Sequence, residues 1–275
     1  MKKTLLLISC FSIIFACFAQ DELLSKKGKR ILPQEKDFSL GLDATPFFNY
    51  AGNLFSSNGN NSLDSIGSSV PFTIFGKYFL KDKLAIRGSF GIGYSNFNDK
   101  LTVLDVTSDD TLDTKTDEVI DRTLNLRIGG GLEFRRGSGR LQAFYGPQLQ
   151  LSYSKSSRIF NYGNSLEDIA PSGNSSSVVR LSEIKNGGVL GVELGGFVGV
   201  EYFFAPKISI SGELSLAVRY ENQGESVETF ESYERTTLII IPIVEEGTVS
   251  NSTEGYSLFE VDTRPNTSIS LHFYF

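Results

Sequence analysis

From Phe38 onward, apolar residues in this chain recur at every second position, in eight separate segments. A helix would repeat them every 3.6 residues, so the pattern specifies strands with one apolar face. Phe38, Leu40, Leu42 and Ala44 alternate with Ser39, Gly41, Asp43 and Thr45. Val70, Phe72, Ile74, Gly76 and Tyr78 alternate with Pro71, Thr73, Phe75 and Lys77. The same rhythm runs through 84–94, 124–135, 141–153, 190–204, 208–220 and 267–275.

The connections are sorted by length. Stretches 81–83, 136–140 and 205–207 are short turns, whereas 51–68, 98–120, 156–187 and 222–256 are long and polar. Short and long alternate strictly, as they do in a meander with tight turns at one end and long loops at the other. Several segments exceed the usual strand length of soluble sandwiches. The expected fold is all-β: an antiparallel up-and-down transmembrane β-barrel of eight strands. The apolar run 238–244 is read as a loop hairpin above the membrane. If it is a ninth wall strand, a tenth must lie in another loop and the barrel has ten.

The two faces differ in chemistry. The polar face carries Asp43, Glu133, Glu193, Glu201 and Glu213 against Lys77, Arg87, Arg127, Arg135 and Arg219, with many glycines between them. A narrow closed barrel needs small residues beside long charged ones in its interior. These ten residues are therefore expected to form a nearly neutral lumen network of ion pairs. The apolar face carries aromatics at two levels. Tyr94, Tyr153 and Tyr220 stand at the long-loop end, and Tyr78, Phe134, Tyr202, Phe204 and Phe275 at the short-turn end. Such girdles flank the lipid-facing band of membrane barrels. The segment 84–94, at roughly 3.3 Å per residue and a tilt of about 40°, spans roughly 25 Å, the height of that band.

The N-terminus fits export. Lys2 and Lys3 precede an apolar run, and Ala19 precedes Gln20. Residues 1–19 read as a signal peptide, 20–36 as a polar, partly basic periplasmic leader, and 37–275 as the barrel. A rival reading makes Cys17 the lipidated first residue, although Phe15 fits that pattern poorly. Losing Lys2 and Lys3 takes the formal net charge from −6 to −8, which argues against a nucleic-acid partner. After cleavage at Ala19 no cysteine remains for a disulfide, so a large core or a membrane must supply stability.

Together the signal, the eight alternating segments, the four long loops and the terminal aromatic resemble the small OmpA/OmpX-type outer-membrane barrels of Gram-negative bacteria. The Ala19-Gln20 junction and the glycine-rich strands are similar to the Bacteroidetes "outer membrane protein beta-barrel domain" group. The resemblance implies that Ile269, Leu271, Phe273 and Phe275 form the signal read by the barrel-assembly machinery. It also implies outer-membrane lipid and lipopolysaccharide as surroundings. No peptidoglycan-binding domain is expected after the barrel segments, a departure from full-length OmpA-like proteins. The expected role is structural or surface-binding, through the extracellular loops. The alternative is a narrow-pore porin or transport protein.

Barrel enzymes of this class act on lipid A, phospholipids or surface peptides, mostly through histidine near the outer rim. The single histidine, His272, lies at the opposite end and faces inward, so no catalytic residue and no cofactor is assigned. Asp99, Asp105, Asp109, Asp110, Asp113, Asp117, Glu118 and Asp121 crowd the second loop, with only Lys100 and Lys115 to offset them. They lack calcium-loop spacing, so the bland reading is a soluble, self-repelling surface loop and no metal is assigned. The stretches 64–66 and 110–112 resemble Asp-Ser/Thr-apolar glycosylation sites in surface loops.

Overall fold

The computed structural model describes residues 23–43, 72–110, 112–170, 175–238 and 241–275. Among the described residues eleven strands form in chain order: β1 (Phe38–Asp43), β2 (Phe72–Lys81), β3 (Leu84–Leu104), β4 (Thr114–Arg136), β5 (Leu141–Asn161), β6 (Ser175–Lys185), β7 (Val189–Ala205), β8 (Ile208–Gln223), β9 (Ser226–Leu238), β10 (Ile241–Thr253) and β11 (Ser257–Tyr274). A one-turn helix, α1 (Leu166–Ile169), sits between β5 and β6. Among the described residues no helix is long and apolar enough to cross a membrane, a statement that leaves strands aside.

Eight strands close a ring in the order β1-β2-β3-β4-β5-β7-β8-β11, every neighbour antiparallel. Each of the eight alternating segments contributes one wall strand, so the ring is not the ten-stranded alternative. The seam joins β1 to β11, from Ser39 opposite Tyr274 to Asp43 opposite Ser270. Ala44, Thr45, Val70 and Pro71, the loop 51–68 and the stretch 64–66 lie outside the described residues, as does Thr111 within 110–112.

Above the ring the connections depart from the loop reading. β3, β4 and β5 run 21, 23 and 21 residues, about twice the 9–11 that a strand needs to cross a bilayer. Much of 98–120 is therefore strand, with Leu104 and Thr114 the last pair of the hairpin. Strands β6, β9 and β10 lie outside the ring. β6 pairs with β5 at Ser157–Ile159, β9 with β6, and β10 with β9. A six-stranded sheet, β3-β4-β5-β6-β9-β10, thus rises from the wall. Ile241, Ile243 and Val244 of the apolar run belong to β10, the hairpin partner of β9, and not to the wall.

The change from ring to open sheet follows a line of glycines. β6 passes into β7 through Asn186, Gly187 and Gly188, β8 into β9 through Gly224 and Glu225, and β10 into β11 through Glu254, Gly255 and Tyr256. The Gly224 amide donates to the Gly188 carbonyl at 2.9 Å, and the Gln223 amide to the Tyr256 carbonyl at 2.8 Å. A Cβ on Gly187 would lie 1.9 Å from the Gly224 oxygen, and one on Gly255 would lie 1.9 Å from the Gln223 oxygen. Only glycine lets the three backbones pass this closely.

Within the ring the apolar parity points outward. Phe38, Leu40, Ile86, Phe90, Ile92, Tyr94, Leu194, Val198, Val200 and Tyr202 are all exposed on its outer face. Ser39, Lys77, Glu133, Arg135, Glu193, Glu201 and Ser211 are buried within it. This is the inverse of a soluble barrel. An apolar exterior with an internally hydrogen-bonded, closed backbone is the form a sheet takes in lipid.

Candidate functional site in the lumen and at its mouths

The inward side chains tie opposite walls together. In the eight-strand ring β2 faces β7, β3 faces β8, and β4 faces β11. Lys77 of β2 lies 3.4 Å from Glu201 of β7 and 3.0 Å from Glu133 of β4. Arg135 of β4 donates through Nε to Glu133 at 2.8 Å and through Nη2 to the Tyr274 hydroxyl of β11 at 3.0 Å. It also pairs with Glu201 and donates to the Gln142 side-chain amide oxygen at 3.0 Å. The Tyr274 hydroxyl donates to Glu201 at 2.5 Å, and Ser209 donates to the same carboxylate. Two cations and two carboxylates are thus sealed in one layer, and Glu133 and Glu201 are 0 % exposed. Burial of such a set is tolerated because each charge is paired and hydrogen-bonded.

The layer above is a single bridge. Arg87 of β3 reaches across to Glu213 of β8, at 2.6 Å and 3.3 Å through its two terminal nitrogens. Its guanidinium lies 4.0 Å from the centre of the Phe197 ring, a cation–π contact. Higher still, Arg219 pairs with Glu193 at 3.0 Å and with Glu221 at 3.6 Å.

Eight of the ten lumen candidates therefore meet in ion pairs: Lys77, Arg87, Glu133, Arg135, Glu193, Glu201, Glu213 and Arg219. Arg127 stands apart, with Nε buried and without a hydrogen-bond acceptor among the described residues. Asp43 lies at the upper end of β1, opposite Ser270. Charge alone does not fill the interior. Phe79, Phe144, Phe197 and Phe203 are buried there, and Lys77 lies 4.9 Å from the Phe144 ring centre. None of these rings was in the expected network, although each has inward parity. Glycine makes the room: a Cβ on Gly199 would lie 2.3 Å from the Phe144 ring.

His272 faces inward as expected and is 2 % exposed. It packs between Phe75 and Tyr274, with ring centres 6.3 and 6.2 Å away, and directly against Gly41. Its Nδ1 has no hydrogen-bond partner among the described residues. Ile269, Leu271 and Phe273 pair with Gly212, Ile210 and Ile208 of β8, and Phe275 stacks on Phe38.

The mouth at the short-turn end is closed by the leader. Ile31, 1 % exposed, packs with Phe79, Ala85, Phe203 and Tyr274, flanked by Leu23 and Leu32. The Lys207 amide donates to the Ile31 carbonyl at 3.2 Å and the Lys36 amide to the Phe79 carbonyl at 2.8 Å. Lys207 also pairs with Asp37, and the Glu35 amide donates to Asp82 at 2.9 Å. A stretch read from sequence as a plain polar leader is thus a stopper. Its signal was the pair Ile31 and Leu32 in polar surroundings.

At the other mouth a cavity of about 310 Å³ opens beside the glycine line, lined by Thr123, Asn125, Ser154, Lys155, Ser156, Asn186, Gly187, Val189 and Gln223. The acidic hairpin tip beyond it forms no group of three metal-ligating side chains among the described residues. Asp105 instead accepts hydrogen bonds from the Thr107 hydroxyl at 2.6 Å and amide at 2.9 Å, and pairs with Lys115 at 2.9 Å. Those bonds, the Thr107 hydroxyl foremost and Lys115 next, pull its carboxyl down to about 2.

No family model matches this chain, and no curated protein matches it. Among solved structures, it is similar to a major outer membrane protein from Thermus thermophilus. The two share 12% identity over 87% of this chain and 99% of that one, with a TM-score of 0.33.

Proposed function

We propose that this chain is a bacterial outer-membrane barrel of the small OmpA/OmpX type, with a blocked lumen and a binding role for the sheet outside the membrane. The observation that carries the reading is the set of cross-lumen ties, Lys77 to Glu201, Arg87 to Glu213 and Arg135 to Tyr274. Each joins diametrically opposed strands, so every layer they occupy is bridged. Ile31 closes one mouth, which supports a lumen without a continuous aqueous path. Catalysis has no support in the one histidine, which lies among aromatic rings at the stoppered end. The long β3, β4 and β5, joined by β6, β9 and β10, hold a broad surface clear of the lipid band, which supports surface binding.

The test is conductance across a planar bilayer. The purified full chain, inserted and protected from protease at its wall strands, is expected to give no stable single-channel steps. Discrete, reproducible steps would establish the narrow-pore alternative instead.

A further inference from the structure

A cluster of cations stands on the outward parity just above the apolar band, where β4, β5 and β6 run side by side. Tyr94, Leu124 and Lys155 form one cross-strand row, and Asn96, Arg122, Ser157 and Lys185 form the next row up. The sheet alternates in and out, so Arg122 shares the outward face of Leu124, and Lys155 that of Tyr153. All three cations are exposed. Arg122 and Lys155 make no ion pair among the described residues, whereas Lys185 is paired with Glu183 at 2.7 Å. Higher on the same face Lys100 and Glu118 neutralise one another at 2.7 Å. The row below the cations is uncharged as it continues from Leu126 and Tyr153 through Leu190, Asn222 and Ser257.

Below the cations, Leu124, Leu126, Ile128, Leu151 and Tyr153 continue as the apolar face. A ligand that matches both parts has a negative head and aliphatic tails. Neighbouring strands lie about 4.8 Å apart, so Arg122 and Lys185, two strands apart, stand about 10 Å from each other at the backbone. Lys155 lies between them, one row lower, within the reach of a single headgroup. Arg122 supplies a planar fork suited to phosphate, Lys155 a point charge, Lys185 a charge shared with Glu183, and Ser157 a hydroxyl in the Arg122 row.

We infer that Arg122, Lys155, Ser157 and Lys185 form a docking site for the phosphate head of an outer-leaflet phosphorylated lipid, whose acyl chains lie on Leu124, Leu126 and Tyr153. The inference rests on the membrane-barrel reading above and adds a preferred lipid and its place on the wall.

The experiment inserts the full chain into phosphatidylcholine nanodiscs doped with phosphorylated lipid A or with its phosphate-free counterpart, and native mass spectrometry counts lipids retained per barrel. Preferential retention of the phosphorylated form is expected. The Arg122→Ala/Lys155→Ala double variant should lower that preference roughly tenfold or more, since each cation near a charged headgroup contributes separately. Arg136→Ala, at the opposite end of β4, should leave it unchanged. Equal retention of the two lipids, or a preference that survives the double variant, overturns the site. Loss of the preference in millimolar inorganic phosphate without lipid release would assign the cluster to free phosphate and overturn the lipid assignment. A barrel that fails to enter nanodiscs at all overturns the membrane reading itself, a separate result.

Discussion

Phe38 and Phe275 hold the seam of the barrel shut: their rings stack at 5.0 Å, the Phe275 amide donates to the Phe38 carbonyl at 2.9 Å, and the reverse bond measures 3.3 Å. Both rings face outward, 53 % and 62 % exposed, so the surroundings supply the rest of their contacts. Stacked aromatic pairs contribute about 0.5–1.5 kcal/mol beyond area burial. A double-mutant cycle of Phe38→Ala and Phe275→Ala, read by urea unfolding in lipid, should return a coupling in that range. Additive single effects would show that the rings act separately.

Glu201 is the hub of the buried layer, facing Lys77, Arg135, Ser209 and Tyr274. Removing it leaves two buried cations with one carboxylate between them. Breaking a buried pair in this way costs about 3–5 kcal/mol. Glu201→Ala is therefore expected to destabilise the barrel by that amount in reversible unfolding. Glu213→Ala should cost less, because Arg87 and Glu213 keep 11% and 12% of their side-chain surface in contact with solvent. Equal losses would mean that burial does not set the scale.

These two relationships differ in how they can be read from sequence. The outward position of Phe38 and Phe275 follows from period two alone, because parity decides the face before any partner is known. That Lys77 meets Glu201 does not follow, since it depends on which strands end up opposed once the ring closes. Parity placed both inside; ring order chose the pairing. The strands above the band were read as loops because neither face there meets lipid. Asn96, Asn98 and Lys100 are polar where Ile92 and Tyr94 are not, so the alternation fades while pairing with β4 continues to Leu104. The leader gave no periodic signal because a single fully buried side chain, Ile31, and scattered backbone hydrogen bonds seat it, and neither repeats along the sequence.

The glycine line predicts an asymmetric tolerance. A Cβ at Gly187 would sit 1.9 Å from a backbone oxygen, whereas one at Gly212 would meet nothing within 4 Å. Gly187→Ala should separate β6 from β9 and make the upper sheet sensitive to protease, while the wall strands stay protected. Gly212→Ala should match wild type in the same digest. Sensitivity in both variants, or in neither, would contradict a steric role for the line.

The stopper predicts a graded response at Ile31. Ile→Ala changes in well-packed sites cost about 2–5 kcal/mol. Here the loss falls on the docking of 23–37 onto the mouth, not on the ring, whose own hydrogen bonds are intact. Ile31→Ala should expose the segment to trypsin at Lys26, Lys27, Lys29 or Arg30, and Ile31→Asp should expose it further. The lumen ties lie deeper, so neither variant should conduct. A protected leader in Ile31→Asp would show that Lys207, Asp37 and the backbone bonds hold it without the side chain.

The hairpin tip carries a pH dependence of definite sign. The Asp105 carboxyl is held near 2, below its ordinary 3.8, by the Thr107 hydroxyl first and by Lys115 next. A carboxyl lowered by folding stabilises the fold above its unfolded value, and that contribution is lost as pH falls through the folded one. The order of the tip should thus be constant above about pH 4 and decline between about 4 and 2. Carbon-detected NMR of the Asp105 carboxyl should titrate near 2 in the wild type. Thr107→Val removes the largest contribution and should move the midpoint up toward 3.8, with Lys115→Ala moving it the same way by less. An unchanged midpoint in Thr107→Val would show that the hydroxyl does not hold the carboxylate in solution.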